Sequence, residues 1–155
     1  MFDDLRDLYQ EVILDHGKNP RNLRQPADAN RLAHGDNPLC GDKIVVYLTV
    51  DDDKVIQDVA FDGRGCAISM ASASMMTEIL KDKTVDEATR LFDSFHKMCT
   101  EDGFEPKTEA DPDDLDRLSV LAGVREFPIR VKCATLAWHT LKNALEGTSH
   151  VAKTE

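Results

Sequence analysis

The chain has 155 residues, 41% of them apolar, which fits one domain with enough hydrophobic material for a core. Its 29 acidic and 19 basic residues give a formal net charge of −10. That excludes a general nucleic-acid binder and a ligand of anionic membranes, since both need clustered Lys and Arg. The charge suits docking on a basic protein partner, although surplus acid also serves plain solubility. No apolar signal segment opens the sequence and no apolar run approaches a membrane span. The expected location is therefore cytoplasmic, where thiols stay reduced and four cysteines point to metal or redox work before disulfides.

Leu5, Leu8, Tyr9, Val12 and Ile13 recur on one face and predict a helix over 3–16, with Asp3 as N-cap, His16 as a C-terminal cation and Gly17 as the stop. Residues 17–39, rich in Asn, Pro, Arg and Gly, read as an extended loop. Ile44, Val46, Leu48 and Val50 alternate in a strand over 43–50, and Val55, Val59 and Phe61 in a second over 55–61. The Asp51–Lys54 turn between them makes an antiparallel hairpin. Gly63 and Gly65 permit a tight turn into a helix from about Ala67 to Leu80. Thr84-Val85-Asp86-Glu87 is a capping box that starts another helix. Residues 100–112 read as a loop and 113–121 as a short helix. The last helix is expected from about Ile129 to Leu145, with Ala134, Trp138, Leu141 and Leu145 as its buried stripe and Gly147 as its end. The fold class is α+β, a small antiparallel sheet with helices packed on it, without internal repeats.

Three cysteines and an aspartate sit where elements begin: Cys40-Gly41-Asp42, Gly65-Cys66 and Lys132-Cys133. Cys40 and Asp42 share a face if strand geometry reaches back to residue 40. Cys66 opens a helix, where backbone N–H groups and the dipole favour a thiolate. Cys133 lies at the flank of its helix's buried stripe. All three thiols can meet near one edge of the sheet. Three thiolates and a carboxylate are the four donors of a tetrahedral zinc site. The same groups also suit an iron–sulfur cluster or a sulfur acceptor. The separations match no short-range zinc-finger pattern and no CxxC occurs, so by periodicity alone buried inert thiols are an equal alternative. Asp42 weighs toward a cation, because a carboxylate beside a buried thiol is costly without one.

These residues carry a family resemblance. Asn37-Pro38-Leu39-Cys40-Gly41-Asp42, Gly65-Cys66-Ala67-Ile68-Ser69 and Arg130-Val131-Lys132-Cys133-Ala134-Thr135-Leu136-Ala137-Trp138 resemble the iron–sulfur cluster assembly proteins of the IscU-like fold (the SufU and NifU N-terminal type). The stretch Asp15-His16-Gly17-Lys18-Asn19-Pro20-Arg21-Asn22 adds to it. The scaffold branch of that family places a His directly before its last cysteine and carries a Leu-Pro-Pro-Val-Lys segment for a chaperone. Here the first position is Lys132, as in the SufU type, and the chaperone segment is replaced by Glu126-Phe127-Pro128-Ile129-Arg130. The resemblance implies a single domain over 1–155 with an insertion at about 93–126. It implies zinc held by Cys40, Asp42, Cys66 and Cys133. It further implies sulfur transfer from a SufS-type cysteine desulfurase to Cys40, a partner histidine displacing Cys40 from the metal, with delivery onward to an iron–sulfur assembly complex.

Physical chemistry supports Cys40 as the mobile group, since a ligand on a glycine-flanked loop leaves a metal more easily than one on a helix. Arg130, one turn before Cys133, is placed to offset the negative site, and reads equally well as a solvated surface charge. Two further readings stand beside sulfur transfer: a scaffold on which an iron–sulfur cluster is built, and a zinc-stabilised adaptor without sulfur chemistry. The cofactor expected is Zn²⁺, with iron or a cluster as the alternative. Cys99 reads as a partly buried helix residue, and His139 as structural. His96 and His150 carry no signal, and His34 is a weak site candidate close to Cys40 in sequence. Met70, Met75 and Met76 read as core filler, and Asp51–Asp53 as a solvated turn lacking calcium-loop spacing. No G-x-S-x-G, HExxH or deaminase motif is present.

Overall fold

A computed structural model of the chain describes residues 11–37, 41–100, 118, 121, 128–146 and 152–153. Residues 11–18 are helical (α1). Then follow β1 (Arg31–Asn37), β2 (Asp42–Val50), β3 (Ile56–Arg64), α2 (Ala67–Leu80), α3 (Val85–Thr100), α4 (Pro128–Glu146) and the two-residue β4 (Ala152–Lys153). The sheet order is β3-β2-β1-β4, antiparallel except for the parallel β1/β4 pair. The α+β architecture expected from the sequence is the one observed. Among the described residues no helix is long and apolar enough to cross a membrane.

The core lies between one face of the sheet and the helices. Ile44, Val46 and Leu48 of β2 and Val59 and Phe61 of β3 meet Met76 and Leu80 of α2 and Leu136, Trp138 and Leu141 of α4. The alternation of β2 produces this, because its inward residues are all apolar after Asp42. Trp138 is fully buried, stacks on Phe95 at 4.9 Å and donates Nε1–H to Ser72 Oγ at 3.2 Å. The expected stripe of α4 and the bounds of α2 match the structure. The capping box also forms: Thr84 N–H donates to Glu87 Oε1 and Glu87 N–H to Thr84 Oγ1, each at 3.1 Å.

Four expectations are corrected. The supposed loop over 17–39 contains β1, whose Gly35, Asp36 and Asn37 break the apolar alternation by which a strand is recognised. Gly35 is inward because a Cβ there would collide with Thr140 of α4, so the residue that hides the strand also lets α4 pack on it. Gly63 makes no turn; it lies in β3, where a Cβ would strike the Lys43 carbonyl of the neighbouring strand. Gly17 does not stop α1, which continues through residue 18. His16, expected to serve the end of its own helix, instead turns to another: it is buried, with Nδ1 2.7 Å from Ser74 Oγ and Nε2 3.7 Å from Glu78, and it ties α1 to α2. In addition, a register irregularity between Thr49 and Val50 turns Ile56 into the core in place of Val55. Leu118 and Leu121 are both fully buried; the rest of the expected 113–121 helix and nearly all of the 100–112 loop lie outside the described residues.

Candidate metal centre

Asp42, Cys66 and Cys133 converge from three elements, and one ligand atom from each lies within 4.8 Å of the other two. Asp42 opens β2 on its core side and is fully buried. Cys66 is the N-cap of α2, in extended conformation, and is solvent-exposed. Cys133 projects from the second turn of α4 and is buried. The strand order explains the meeting: β2 begins, β3 ends and α2 begins at the same edge, and α4 packs across both β2 and α2.

A hydrogen bond orients each donor, from the backbone for Asp42 and Cys66 and from a side chain for Cys133. Asp42 Oδ1 accepts the Cys66 N–H at 2.9 Å, which leaves Oδ2 buried with no hydrogen-bond partner among the described residues. The Ser69 N–H donates to Cys66 Sγ at 3.4 Å, the helix-start contact that supports negative charge on sulfur. Asn37 Nδ2 donates to Cys133 Sγ at 3.7 Å. Gly65 makes the approach possible, since a Cβ there would sit 2.7 Å from Asp42 Oδ1 and 3.1 Å from its Cγ.

The donor set fits zinc. Taking a charged carboxylate out of water costs several kcal/mol unless its lone pairs are met, and Asp42 Oδ2 has none of that compensation from the described residues. Tetrahedral zinc with Zn–S bonds of about 2.3 Å holds its sulfurs about 3.8 Å apart. The observed spread closes to that value with side-chain shifts of about 1 Å or less. Cys40 lies outside the described residues. It is joined through Gly41, whose φ of +72° is left-handed, to Asp42.

The remaining candidates sort by position. Arg130 is exposed on the first turn of α4, three residues before Cys133. His34 is withdrawn as a site residue: it is exposed on β1, on the face opposite Asn37 and the buried Ala33 and Gly35. Cys99 is wholly buried in the core on α3, more deeply than a partly buried helix residue. His139 is half-buried against Phe92, 5.3 Å between ring centroids. Burial, with His96 and Lys142 nearby, pushes its pKa down to about 4. Met75 and Met76 are core residues and Met70 packs at its margin. Sequence reasoning missed Asn37 and Ser69 as neighbours of the site. Their signal was the segments themselves, but placing Asn37 beside Cys133 requires knowing that β1 exists and pairs Asn37 with Asp42.

Comparison with known proteins gives the family. Residues 8–134 match the family described as the NifU-like N terminal domain. The zinc-dependent sulfurtransferase SufU of Bacillus subtilis strain 168 is 41% identical over 142 residues, 92% of each chain. The iron–sulfur cluster assembly scaffold protein IscU of Streptococcus pyogenes serotype M1 is 41% identical over 146 residues, 94% of this chain and 87% of that one. The crystal structure of a putative iron–sulfur cluster assembly scaffold protein for the SUF system from Fervidobacterium islandicum superposes with a TM-score of 0.77 at 34% identity, covering 90% of this chain and 98% of that one. The chain belongs to the NifU-like N-terminal domain family, as a SufU/IscU-like iron–sulfur cluster assembly protein.

Proposed function

We propose that the protein accepts sulfur from a SufS-type cysteine desulfurase at Cys40 and hands it on to an iron–sulfur assembly complex in the cytoplasm, around a zinc ion held by Cys40, Asp42, Cys66 and Cys133. The observation that carries this reading is the unpartnered, buried Asp42 Oδ2 beside two cysteine sulfurs. Bound zinc supplies positive charge that keeps the thiols deprotonated and adds no redox chemistry. The chain's own residues do the rest. Asp42 Oδ1 is fixed by the Cys66 N–H, which leaves Oδ2 as the oxygen to meet the ion. The Ser69 N–H holds Cys66 Sγ, leaving both fixed sulfurs on rigid helices. Arg130 offsets part of the site's negative charge from three residues away on α4.

Cys40, next to Gly41, is the group free to react. Its thiolate attacks the terminal sulfur of the donor's cysteine persulfide. The donor S–S bond breaks, a new Cys40 Sγ–S bond forms, and the donor cysteine leaves as a thiolate. The proton on the transferred sulfur stays with it, and no external oxidant is needed. Lys132, half-buried before Cys133, marks the SufU type over the scaffold type. The scaffold reading keeps its place because a relative of equal identity bears that name.

The test is alanine release by the desulfurase, with and without the zinc-loaded protein. Strong stimulation that disappears with Cys40→Ala, in a variant that keeps its fold, supports the acceptor. Absence of stimulation rejects it, and appearance of a cluster on the iron-loaded protein then favours the scaffold.

A further inference from the structure

Asn37 is fully buried, and the only hydrogen bond given by its side chain among the described residues goes to a sulfur. Its Nδ2 donates to Cys133 Sγ at 3.7 Å, while its Oδ1 is buried without a partner among the described residues. A side-chain amide with half of its hydrogen-bonding capacity unmet costs stability. An apolar residue of similar volume would fill the same space without that cost. The backbone of Asn37 is also committed: its carbonyl accepts the Gly41 N–H at 2.9 Å, and it stands opposite Asp42 in the β1/β2 register. One residue thus touches a fixed sulfur with its side chain and, through its main chain, pins both ends of the segment that carries Cys40.

We infer that Asn37 is a positioning residue for the metal centre. Its amide orients Cys133 Sγ and withdraws electron density from it, so that Cys133 is a stationary ligand against which Cys40 can exchange. A hydrogen bond to a ligand atom fixes its direction and tunes its donation, and the loss of such a partner typically lowers metal affinity about 10- to 100-fold. The inference rests on reading Asp42, Cys66 and Cys133 as metal ligands. It deepens that reading by naming a residue that holds a ligand without binding the metal.

The experiment loads wild type, Asn37→Ala and the volume-keeping Asn37→Leu with Co²⁺. It measures affinity by chelator competition and records the sulfur-to-cobalt charge-transfer band. Folding of the metal-free proteins is followed by circular dichroism. Wild type is expected to bind with a thiolate charge-transfer band. Both variants are expected to fold, to bind about 10-fold or more weakly, and to show the band at longer wavelength, because an unshielded thiolate gives up electron density more easily. Variants with wild-type affinity and an unmoved band overturn the role of Asn37. If both variants fail to fold without metal, Asn37 is structural and the inference falls. Absence of Co²⁺ binding by wild type overturns the metal reading itself, a result distinct from the other two.

Discussion

Replacing Gly65 by Ala adds one methyl group at the tightest point of the site. That carbon would lie 2.7 Å from Asp42 Oδ1, 3.1 Å from Asp42 Cγ and 3.1 Å from Ser69 Cβ. An ordinary contact requires the carboxylate to retreat by about 0.7 Å, and Asp42 is fully buried. The retreat stretches the 2.9 Å bond from the Cys66 N–H. Losing a hydrogen bond to a charged acceptor costs about 1.5–3 kcal/mol, and overpacking costs about 1–3 kcal/mol. The two overlap, since movement that relieves one causes the other, so the expected loss is about 2–3 kcal/mol. For a domain of this size that lowers Tm by about 4–10 °C. The same movement turns Asp42 Oδ2 away from the two sulfurs, and zinc affinity should drop about 10- to 100-fold. Chelator competition and thermal melts of the metal-free protein measure the two effects separately. Wild-type zinc affinity together with a Tm within about 2 °C of wild type would refute the account of Gly65 as the residue that admits Asp42.

Gly41→Ala separates backbone strain from crowding: no atom lies within 4 Å of the added Cβ but φ is +72°, so stability should fall by about 1 kcal/mol in a melt, with less effect on zinc than Gly65→Ala. Thr84→Ala breaks the capping box far from the site and should lower stability by about 1 kcal/mol while leaving zinc affinity unchanged in the same competition assay. Zinc at a thousandfold excess over its Kd should add about 4 kcal/mol to stability, and a chelator should reverse it; Cys133→Ser should abolish most of the gain. His139 titrates near 6.5 in the unfolded chain but about 4 in the folded one. The unfolded state therefore binds the extra proton in that window, and stability is retained above pH 6.5 and lost as pH falls toward 4. Melts of metal-free His139→Phe between those pH values should show a shallower slope than wild type.

Much of the fold was legible because the sequence repeats its signals. The period-2 pattern of β2, the capping box of α3 and the Trp138 stripe of α4 each state their element locally. β1 was hidden because its inward positions are Ala33, Gly35 and Asn37, none of them a strand-forming apolar residue. Two of those three serve α4 and the metal centre instead of the core: Gly35 makes room for Thr140, and Asn37 meets Cys133. The meeting of the candidate ligands Asp42, Cys66 and Cys133 was legible from residue type and position at element starts. Asn37 was not, because its contact with Cys133 spans 96 residues and depends on strand pairing. His16 was misread for a similar reason: its partners, Ser74 and Glu78, sit on another helix.

The distribution of the ligands over the fold bears on how a metal centre can also be reactive. Asp42, Cys66 and Cys133 belong to the start of a strand, the cap of one helix and the second turn of another, and each is held by an N–H group or holds one. Their backbones belong to elements packed in the core, so only small side-chain shifts are open to them. The residue next to Cys40 is a glycine in left-handed conformation, with open space around it. On the proposed reading, the three anchored donors keep the ion while the fourth detaches, so the protein need not unfold its site to react. A centre with all four ligands on rigid elements would be structural, and one with two on mobile segments would lose its metal with each turnover. On that reading, sulfur transfer at Cys40 calls for three fixed ligands and a fourth that can be exchanged.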